Sequence, residues 1–288
     1  MLSFQLPSHG ARRSAPAAWR TVSLAPVLGL LVFACAEPPT APRGRAPDAT
    51  RPSLSHSPES TSTAGPTSLA AYGGEASWYA GQAPVPLGST SGRACFLTRV
   101  EGMFGSTRYV RIYASNNSWW LHGTSSGVSA RARCVNAFSY TGEYAWSQGQ
   151  NPINMGSTTR RACFLTGVGG DFEGSGERVE VFASFPPYGG SWLLGGSSVH
   201  AGVHARARCI LYLPWAPPQP YSYSNWHSSS QGPGILQPTT WACFLAGMRG
   251  DFEGSAAYVH VYPTGGSWYV KASSQVFPTS AKAGCTSK

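Results

Sequence analysis

The stretch Ala162-Cys163-Phe164-Leu165-Thr166 decides the fold, because it occurs three times in the chain with almost no change. Near-identical copies occupy residues 94–98 and 242–246. In all three copies a Trp stands 17 residues before the Cys and a Phe stands nine residues after it. An alternating apolar segment, a Ser-Trp pair and a closing segment with a second Cys then follow in the same order. Repetition at a fixed set of positions indicates an internal structural repeat, so we predict one unit present three times.

The composition of each unit favours β-strands. Its segments alternate apolar and polar residues or are rich in β-formers, and Gly-rich pieces such as residues 169–174 separate them. The high content of glycine and proline (34 Gly and 23 Pro) and the absence of a capped helical pattern argue against a helical bundle. We therefore predict an all-β fold made of three tandem four-stranded repeats of about 60 residues each.

Six of the seven Cys belong to the repeats, two in each. We predict that they pair within the repeats and staple the first strand of each unit to its last. No two of them have the short spacing of a structural zinc site, so metal binding by these thiols is the weaker interpretation. Small cores in exported proteins benefit from such bonds. The predicted pairs are Cys95–Cys134, Cys163–Cys209 and Cys243–Cys285.

Three such units can close around a pseudo-threefold axis as a β-prism-like body, form a trefoil-like body, or lie as beads on a string. The two connectors between them are short and carry aromatic side chains, which favours packing between units and one compact body. The connectors are residues 135–145 and 210–225, with Phe138, Tyr140, Tyr212 and Trp215. The predicted boundaries are repeat 1 at 71–134, a connector and repeat 2 at 135–209, and a connector and repeat 3 at 210–288.

Residues 1–35 have the basic start and short apolar core of a secretory signal peptide. The apolar core ends in Val32-Phe33-Ala34-Cys35, which resembles the lipobox of bacterial lipoproteins. This resemblance implies a lipid on Cys35 that anchors the chain in a membrane, and Ala36, where some lipoproteins carry Asp, implies the outer membrane or cell surface. The alternative is plain cleavage after Ala36, which releases a soluble secreted protein. Residues 36–70 are rich in Pro, Ser, Thr and Ala and are predicted to form a disordered tether.

Two motifs suggest catalysis or zinc binding but fit a structural interpretation better. Residues 123–127 match the Gly-x-Ser-x-Gly elbow of hydrolases around Ser125, but no helix is predicted after it, so we interpret the segment as a turn. His200 and His204 are four residues apart. On a strand, residues at this spacing stand about 13 Å apart, too far for one metal ion, so we predict surface histidines.

Two acidic pairs lie in Gly-flanked turns of repeats 2 and 3, and repeat 1 lacks the equivalent pair. Carboxylates two residues apart can supply oxygen ligands to Ca²⁺. The interpretation that we favour is a tight turn with solvated acids and a buried Phe, with no metal. Ca²⁺ binding is the alternative, and acid–base catalysis on a glycoside is the third. The four residues are Asp171, Glu173, Asp251 and Glu253.

The aromatic residues divide into recurrent and non-recurrent groups. The recurrent Trp occupy equivalent positions in all repeats and are predicted to be core, and they are Trp78, Trp119, Trp146, Trp192, Trp226 and Trp268. The repeat does not require the others, which makes them candidates for an exposed binding surface. These candidates are Trp120, Trp215, Trp241, Tyr188, Tyr221 and Tyr223. Because neighbouring strand residues point to opposite faces, Trp119 and Trp120 are expected to face inward and outward respectively.

Together these features predict a surface-anchored, non-enzymatic binding or adhesion module for a carbohydrate or another envelope polymer, with no cofactor. The repeat unit resembles Cys-bounded repeats of exported bacterial proteins, a resemblance that implies no particular activity. The net charge of +9 lies partly in the leader and the Arg residues are spread out, which argues against nucleic-acid binding. A passive envelope lipoprotein without a specific ligand is the alternative, and a secreted hydrolase is the third candidate.

Overall fold

The computed structural model describes residues 74–184, 190–200, 202–213, 221–228, 238–274 and 278–287, and in these ranges every helix or strand element is a β-strand. The predicted signal peptide, Cys35 and tether lie outside the described residues. Repeat 1 contains β1 (Ala76–Tyr79), β2 (Val85–Ser89), β3 (Arg93–Gly102), β4 (Tyr109–Ser115), β5 (Ser118–Gly123) and β6 (Val128–Asn136). Repeat 2 contains β7 (Ser139–Tyr140), β8 (Tyr144–Ser147), β9 (Ile153–Ser157), β10 (Arg161–Gly169), β11 (Arg178–Ser184), β12 (Ser191–Ser197) and β13 (His204–Leu211). Repeat 3 contains β14 (Tyr221–Tyr223), β15 (His227–Ser228), β16 (Trp241–Gly250), β17 (Tyr258–Thr264), β18 (Ser267–Ser273) and β19 (Thr279–Ser287).

The fold is all-β, as predicted. The four predicted strands of each repeat are present, and short extra strands precede them. None of the described residues belongs to a helix of the length and apolarity that a membrane crossing requires.

The strands form three antiparallel sheets, and each sheet combines strands from two repeats. Sheet 1 has the order β1-β6-β3-β17-β18. Sheet 2 has the order β2-β5-β4-β10-β13-β7, with β8 also on β13. Sheet 3 has the order β14-β19-β16-β11-β12-β9, with β15 also on β19.

The hairpin that follows the first Cys strand of each repeat therefore leaves its own repeat and pairs with the next one. Hairpin β4–β5 of repeat 1 joins β10 of repeat 2, and hairpin β11–β12 of repeat 2 joins β16 of repeat 3. Hairpin β17–β18 of repeat 3 returns to β3 of repeat 1, with Val259 opposite Val100. This cyclic exchange closes the three repeats into one body and excludes beads on a string.

Two clusters of phenylalanines mark the pseudo-threefold axis. The rings of Phe96, Phe164 and Phe244 lie 5.6 Å from one another, and all three are buried. The rings of Phe104, Phe172 and Phe252 form a second triad with separations of 5.9 to 6.1 Å. Each repeat thus contributes one ring to each triad, which gives the body a shared core that no single repeat could form.

The three predicted disulfides are present. In each case the two Cys stand directly opposite each other on neighbouring strands, as Cys163 and Cys209 do on β10 and β13. The bonds link residues 39, 46 and 42 positions apart. Loops of this length correspond to roughly 4 kcal/mol of stabilisation per bond in the chain-entropy model. The pairs are Cys95–Cys134, Cys163–Cys209 and Cys243–Cys285.

The aromatic connectors pack between repeats at two of their four aromatic positions. The Tyr140 ring lies 5.0 Å from the ring of Trp119, a core residue of repeat 1. The Tyr212 hydroxyl contacts the Thr286 hydroxyl of repeat 3. Phe138 is instead 71% exposed, and Trp215 lies outside the described residues. Tyr140 and Tyr212 therefore support the compact arrangement.

Candidate functional site

The Trp that precedes the first Cys occupies different positions in the three repeats. Trp78 stands opposite Ala130 and Trp146 opposite Ala205, and both indoles are buried. In repeat 3 the residue opposite the equivalent Ala281 is His227, so Trp226 is displaced by one position. A shift of one residue moves a side chain to the other face of a sheet.

Trp226 is accordingly half-buried rather than buried. The prediction that all six recurrent Trp belong to the core is wrong for Trp226. It is right for the other five, which are no more than 3% exposed.

The different position of Trp226 is explained by the residue against which the buried indoles of Trp78 and Trp146 pack, which is a glycine in repeats 1 and 2. A Cβ added to Gly123 would stand 2.6 Å from the Trp78 ring, and one added to Gly196 would stand 2.8 Å from the Trp146 ring. The corresponding residue of repeat 3 is Ala272, which carries a Cβ. The buried position is thus closed to an indole in repeat 3.

The Trp226 ring lies over Gly247 of β16 instead. A Cβ added to Gly247 would stand 2.9 Å from the indole. Gly247 is opposite Glu180 on one side and opposite Lys282 on the other. Trp226 therefore covers the outer face of sheet 3 beside a pair of charged residues.

Trp226 forms one wall of a pocket of about 350 Å³. Three further aromatic residues line it together with polar side chains from the β14–β15 segment and from β19. The lining residues are Phe182, Ala183, Trp192, Tyr223, Ser224, Asn225, Trp226 and Lys282. A mainly aromatic concave surface with a few polar groups is typical of small-ligand sites.

Tyr223 is held in place by contacts across the repeat boundary. Its hydroxyl donates to the Cys163 carbonyl at 2.7 Å, and its ring lies 4.8 Å from the buried Trp192 ring. The Trp192 indole in turn donates to the Arg161 carbonyl at 2.9 Å. These bonds fix the aromatic wall before any ligand arrives, which lowers the entropic cost of binding.

The charged groups of the pocket form an ion pair. Lys282 Nζ donates to Glu180 Oε2 at 3.2 Å, and the side chains are 17% and 12% exposed. Because Lys282 lines the pocket, its remaining N–H groups supply hydrogen-bond donors next to the aromatic faces.

In sheets 1 and 2 the residue equivalent to Tyr223, three positions before the recurrent Trp, is a glutamate. In sheet 2, Glu143 Oε2 lies 2.6 Å from Arg111 and 2.7 Å from Arg206. In sheet 1, Glu75 is bound by Arg131 at 3.2 Å and by His260 at 3.4 Å.

Glu75 also has a strongly shifted pKa. Burial alone would raise it, but hydrogen bonds from His260 and Thr98 and the charges of His260 and Arg133 lower the pKa of Glu75 to about 2. The Arg133 guanidinium is permanently charged, so the lowered pKa of Glu75 does not depend on His260 alone. Burial lowers the pKa of His260, so at neutral pH its uncharged ring can still donate to Glu75.

The structure does not bring the predicted ligand-binding residues together. Tyr223 lines the pocket, whereas Trp241 packs against the core and its carbonyl accepts a hydrogen bond from Trp268. Tyr221 pairs with Thr286 through the backbone of β14. Tyr188 and Trp215 lie outside the described residues.

The prediction for the Trp119–Trp120 pair is confirmed. Trp119 is fully buried, and Trp120 is half-buried on the opposite face of β5. The Trp120 indole donates to the Ser115 carbonyl at 3.2 Å. Trp120 is thus on a different sheet from the Trp226 pocket.

Of the candidate acidic residues, Asp171 and Glu173 come close to His200, with one ligand atom from each residue lying within 4.8 Å of the others. Asp251 has a different role, because its Oδ1 accepts the backbone N–H of Glu253 at 2.8 Å and closes the turn. His204 lies apart from this group, with its Nδ1 2.9 Å from the Gly202 carbonyl. Ser125 lies in a bend with no helix after it in the described residues, as the turn interpretation predicts.

Sequence reasoning missed both Trp226 and His200 as site residues. The Ala272 substitution for Gly was a readable signal for Trp226. His200 offered no local signal, because its partners lie 29 and 27 positions earlier in the chain, as Asp171 and Glu173. No protein-family model matches this chain, and comparison with curated proteins and with solved structures gives no significant match.

Proposed function

We propose that this protein is a non-enzymatic binding module at the cell surface, and that the pocket beside Trp226 binds a carbohydrate or the glycan part of an envelope polymer. The observation that carries the proposal is the half-buried Trp226 ring, which faces a pocket with Phe182 and Tyr223 in its walls. Sugar rings present apolar C–H faces and a rim of hydroxyls. An aromatic wall beside hydrogen-bonding side chains complements both.

The chemistry of the pocket supports a neutral or acidic sugar. Lys282 supplies a cationic donor, and Ser224 and Asn225 supply further polar groups. The volume of about 350 Å³ falls at the lower end of the range of ligand pockets, about 300 to 1,000 Å³, which fits one or two sugar rings.

The disulfides and the features of the N-terminal segment support a role at the cell surface. The three disulfides are compatible with a location outside the cytoplasm. We further propose that Cys35 carries a lipid and that residues 36–70 act as a tether between this anchor and the folded repeats. A tethered domain on a lipid anchor can reach polymers at some distance from the membrane.

A glycan array with envelope polysaccharides and cell-wall fragments tests the function. We expect binding by the wild type, loss of binding for Trp226→Ala, and retained binding for the matched control Trp120→Ala on sheet 2. Absence of binding by the wild type at high micromolar concentration would move the interpretation to a passive envelope protein. Release of cleaved glycan, abolished by Ser125→Ala or Glu173→Gln, would show a hydrolase instead.

A further inference from the structure

Four ionisable side chains of repeat 2 come together, and none of them lines the Trp226 pocket. Asp171, Glu173 and Glu177 lie between β10 and β11, and His200 lies between β12 and β13. His200 Nδ1 is 3.9 Å from Glu173 Oε2, and His200 Nε2 is 3.5 Å from Glu177 Oε1. The two ring nitrogens of one imidazole thus face two different carboxylates.

Glu177 is the most unusual member of the group. Its side chain is 1% exposed, and its Oε1 has no hydrogen-bond partner although it is shielded from water. The other oxygen accepts the backbone N–H of Gly174. A buried carboxylate oxygen without a donor is costly, because the group has lost water without replacement.

Asp171 also has a carboxylate oxygen without a hydrogen-bond donor. Its Oδ1 is shielded from water and has no hydrogen-bond partner. Asp171, Glu173 and His200 each place one possible ligand atom within 4.8 Å of the others.

We propose that Asp171, Glu173 and His200 bind a divalent transition-metal ion, with Zn²⁺ preferred, through two carboxylates and Nδ1 of the imidazole. Nε2 then carries the proton and donates to Glu177 Oε1. Glu177 acts as a positioning residue that fixes the tautomer of His200, as the carboxylate partners of zinc-bound histidines commonly do. The ion and the Nε2–H group together satisfy both unpartnered oxygens.

The donor set determines the class of ion. One imidazole nitrogen and two carboxylates suit Zn²⁺, which is usually four-coordinate and would take water as its remaining ligand. Ca²⁺ takes six to eight oxygen ligands and gains little from imidazole. Glu173 is 41% exposed and also lines an open depression of about 500 Å³, which gives the ion a path from solvent.

The full set of residues occurs in one repeat. In repeat 1, Met103 replaces Asp171 and Arg108 replaces Glu177, and the turn is one residue shorter, so that no residue stands in the place of Glu173. In repeat 3 the two turn acids are kept as Asp251 and Glu253, but Ala257 replaces Glu177. Repeat 3 therefore keeps the turn acids without the histidine and its partner.

Isothermal titration with Zn²⁺, Mn²⁺ and Ca²⁺ tests the proposal on the full chain with Cys35→Ser, so that no free thiol competes. We expect one Zn²⁺ per chain, bound more tightly than Ca²⁺, and a rise in melting temperature on addition of Zn²⁺. His200→Ala should weaken Zn²⁺ binding about 100-fold or more, and Glu177→Gln about 10- to 100-fold. His204→Ala is the matched control and should leave the affinity unchanged, because His204 lies outside the Asp171–Glu173–His200 group.

The variants are first compared without metal by thermal unfolding, so that a failure to fold is recognised. Glu177→Gln keeps the size of the side chain and should fold. The proposal is overturned if the wild type binds no Zn²⁺ at 100 µM (about the weakest affinity of interest here), if Ca²⁺ binds more tightly, or if His204→Ala weakens binding as much as His200→Ala. None of these results bears on the Trp226 pocket, because no glycan is used.

Discussion

Lys282 Nζ lies 3.2 Å from Glu180 Oε2, and this contact joins repeat 3 to a hairpin that belongs to repeat 2. Each of the other two junctions between repeats has a similar contact. Glu143 of repeat 2 binds Arg111 of repeat 1, and Glu75 of repeat 1 binds His260 of repeat 3. In sheet 3 the two roles are reversed. The carboxylate, Glu180, lies on the hairpin, and its cationic partner, Lys282, lies on β19.

The reversed charge on hairpin β11–β12 favours its pairing with repeat 3 over pairing with its own repeat. The hairpin of repeat 2 carries Glu180, where the other two hairpins carry Arg111 and His260. If this hairpin folded back on its own repeat, Glu180 would face Glu143. Like charges in a partly buried place are unfavourable, so the pairing with Lys282 of repeat 3 is preferred.

Reversal of one charge at this junction should destabilise the protein, and reversal of both should restore it. Glu180→Lys places two ammonium groups together and is expected to lower the free energy of unfolding by about 1 to 3 kcal/mol. The double variant Glu180→Lys with Lys282→Glu should recover most of that loss. Urea unfolding of the two single variants and the double variant measures the coupling. Additive effects of the two substitutions would mean that the contact has no role in stability.

Gly196→Ala should destabilise the protein because it removes the space in which Trp146 is buried. The new Cβ would stand 2.8 Å from the indole and 2.2 Å from the Arg178 carbonyl. Overpacking of this kind costs about 1 to 3 kcal/mol. Gly176→Ala is the matched control, because an added Cβ there meets nothing within 4 Å. Equal melting temperatures of Gly196→Ala and Gly176→Ala would count against the explanation given for the position of Trp226.

Glu75 should make stability depend on acid pH. Its pKa is about 2 in the folded protein and 4.5 in the unfolded reference, so its stabilising effect is complete above about pH 4.5 and is lost as the pH falls towards 2. The full shift corresponds to roughly 3 kcal/mol. Glu75→Gln should lower stability at pH 6 and flatten the pH profile below pH 4.5, as measured by urea unfolding. Glu101→Gln, which removes a more exposed carboxylate paired with Arg99 at 2.8 Å, should leave the slope nearly as in the wild type.

The sequence was sufficient to predict the strands, the repeats and the disulfides, because each depends on short patterns. Alternation predicts a strand, and two Cys that close every unit predict a bond within it, as between Cys95 and Cys134. The exchange of hairpins could not be predicted in the same way. The apolar pattern of β4 fits β3 of its own repeat as well as β10 of the next, because the repeats are so alike.

The candidate sites depended on relationships that no single repeat contains. The alignment made Trp226 equivalent to Trp78, but Ala272 and the shift of His227 reverse its face. In the sequence, His200 was considered only as a pair with His204, four residues later. Its ring lies instead beside Glu173, which is in the connection between β10 and β11.

The central claim is that two tryptophans at equivalent sequence positions have opposite roles, and the stability of two variants tests it most directly. Trp146→Ala and Trp226→Ala should be compared by urea unfolding and by binding to the glycan that the array identifies. Trp146→Ala removes a buried indole and should lower the free energy of unfolding by about 3 to 5 kcal/mol. Trp226→Ala should change that free energy by less than about 1 kcal/mol and abolish glycan binding. Equal destabilisation by both substitutions, with glycan binding retained by Trp226→Ala, would contradict the account.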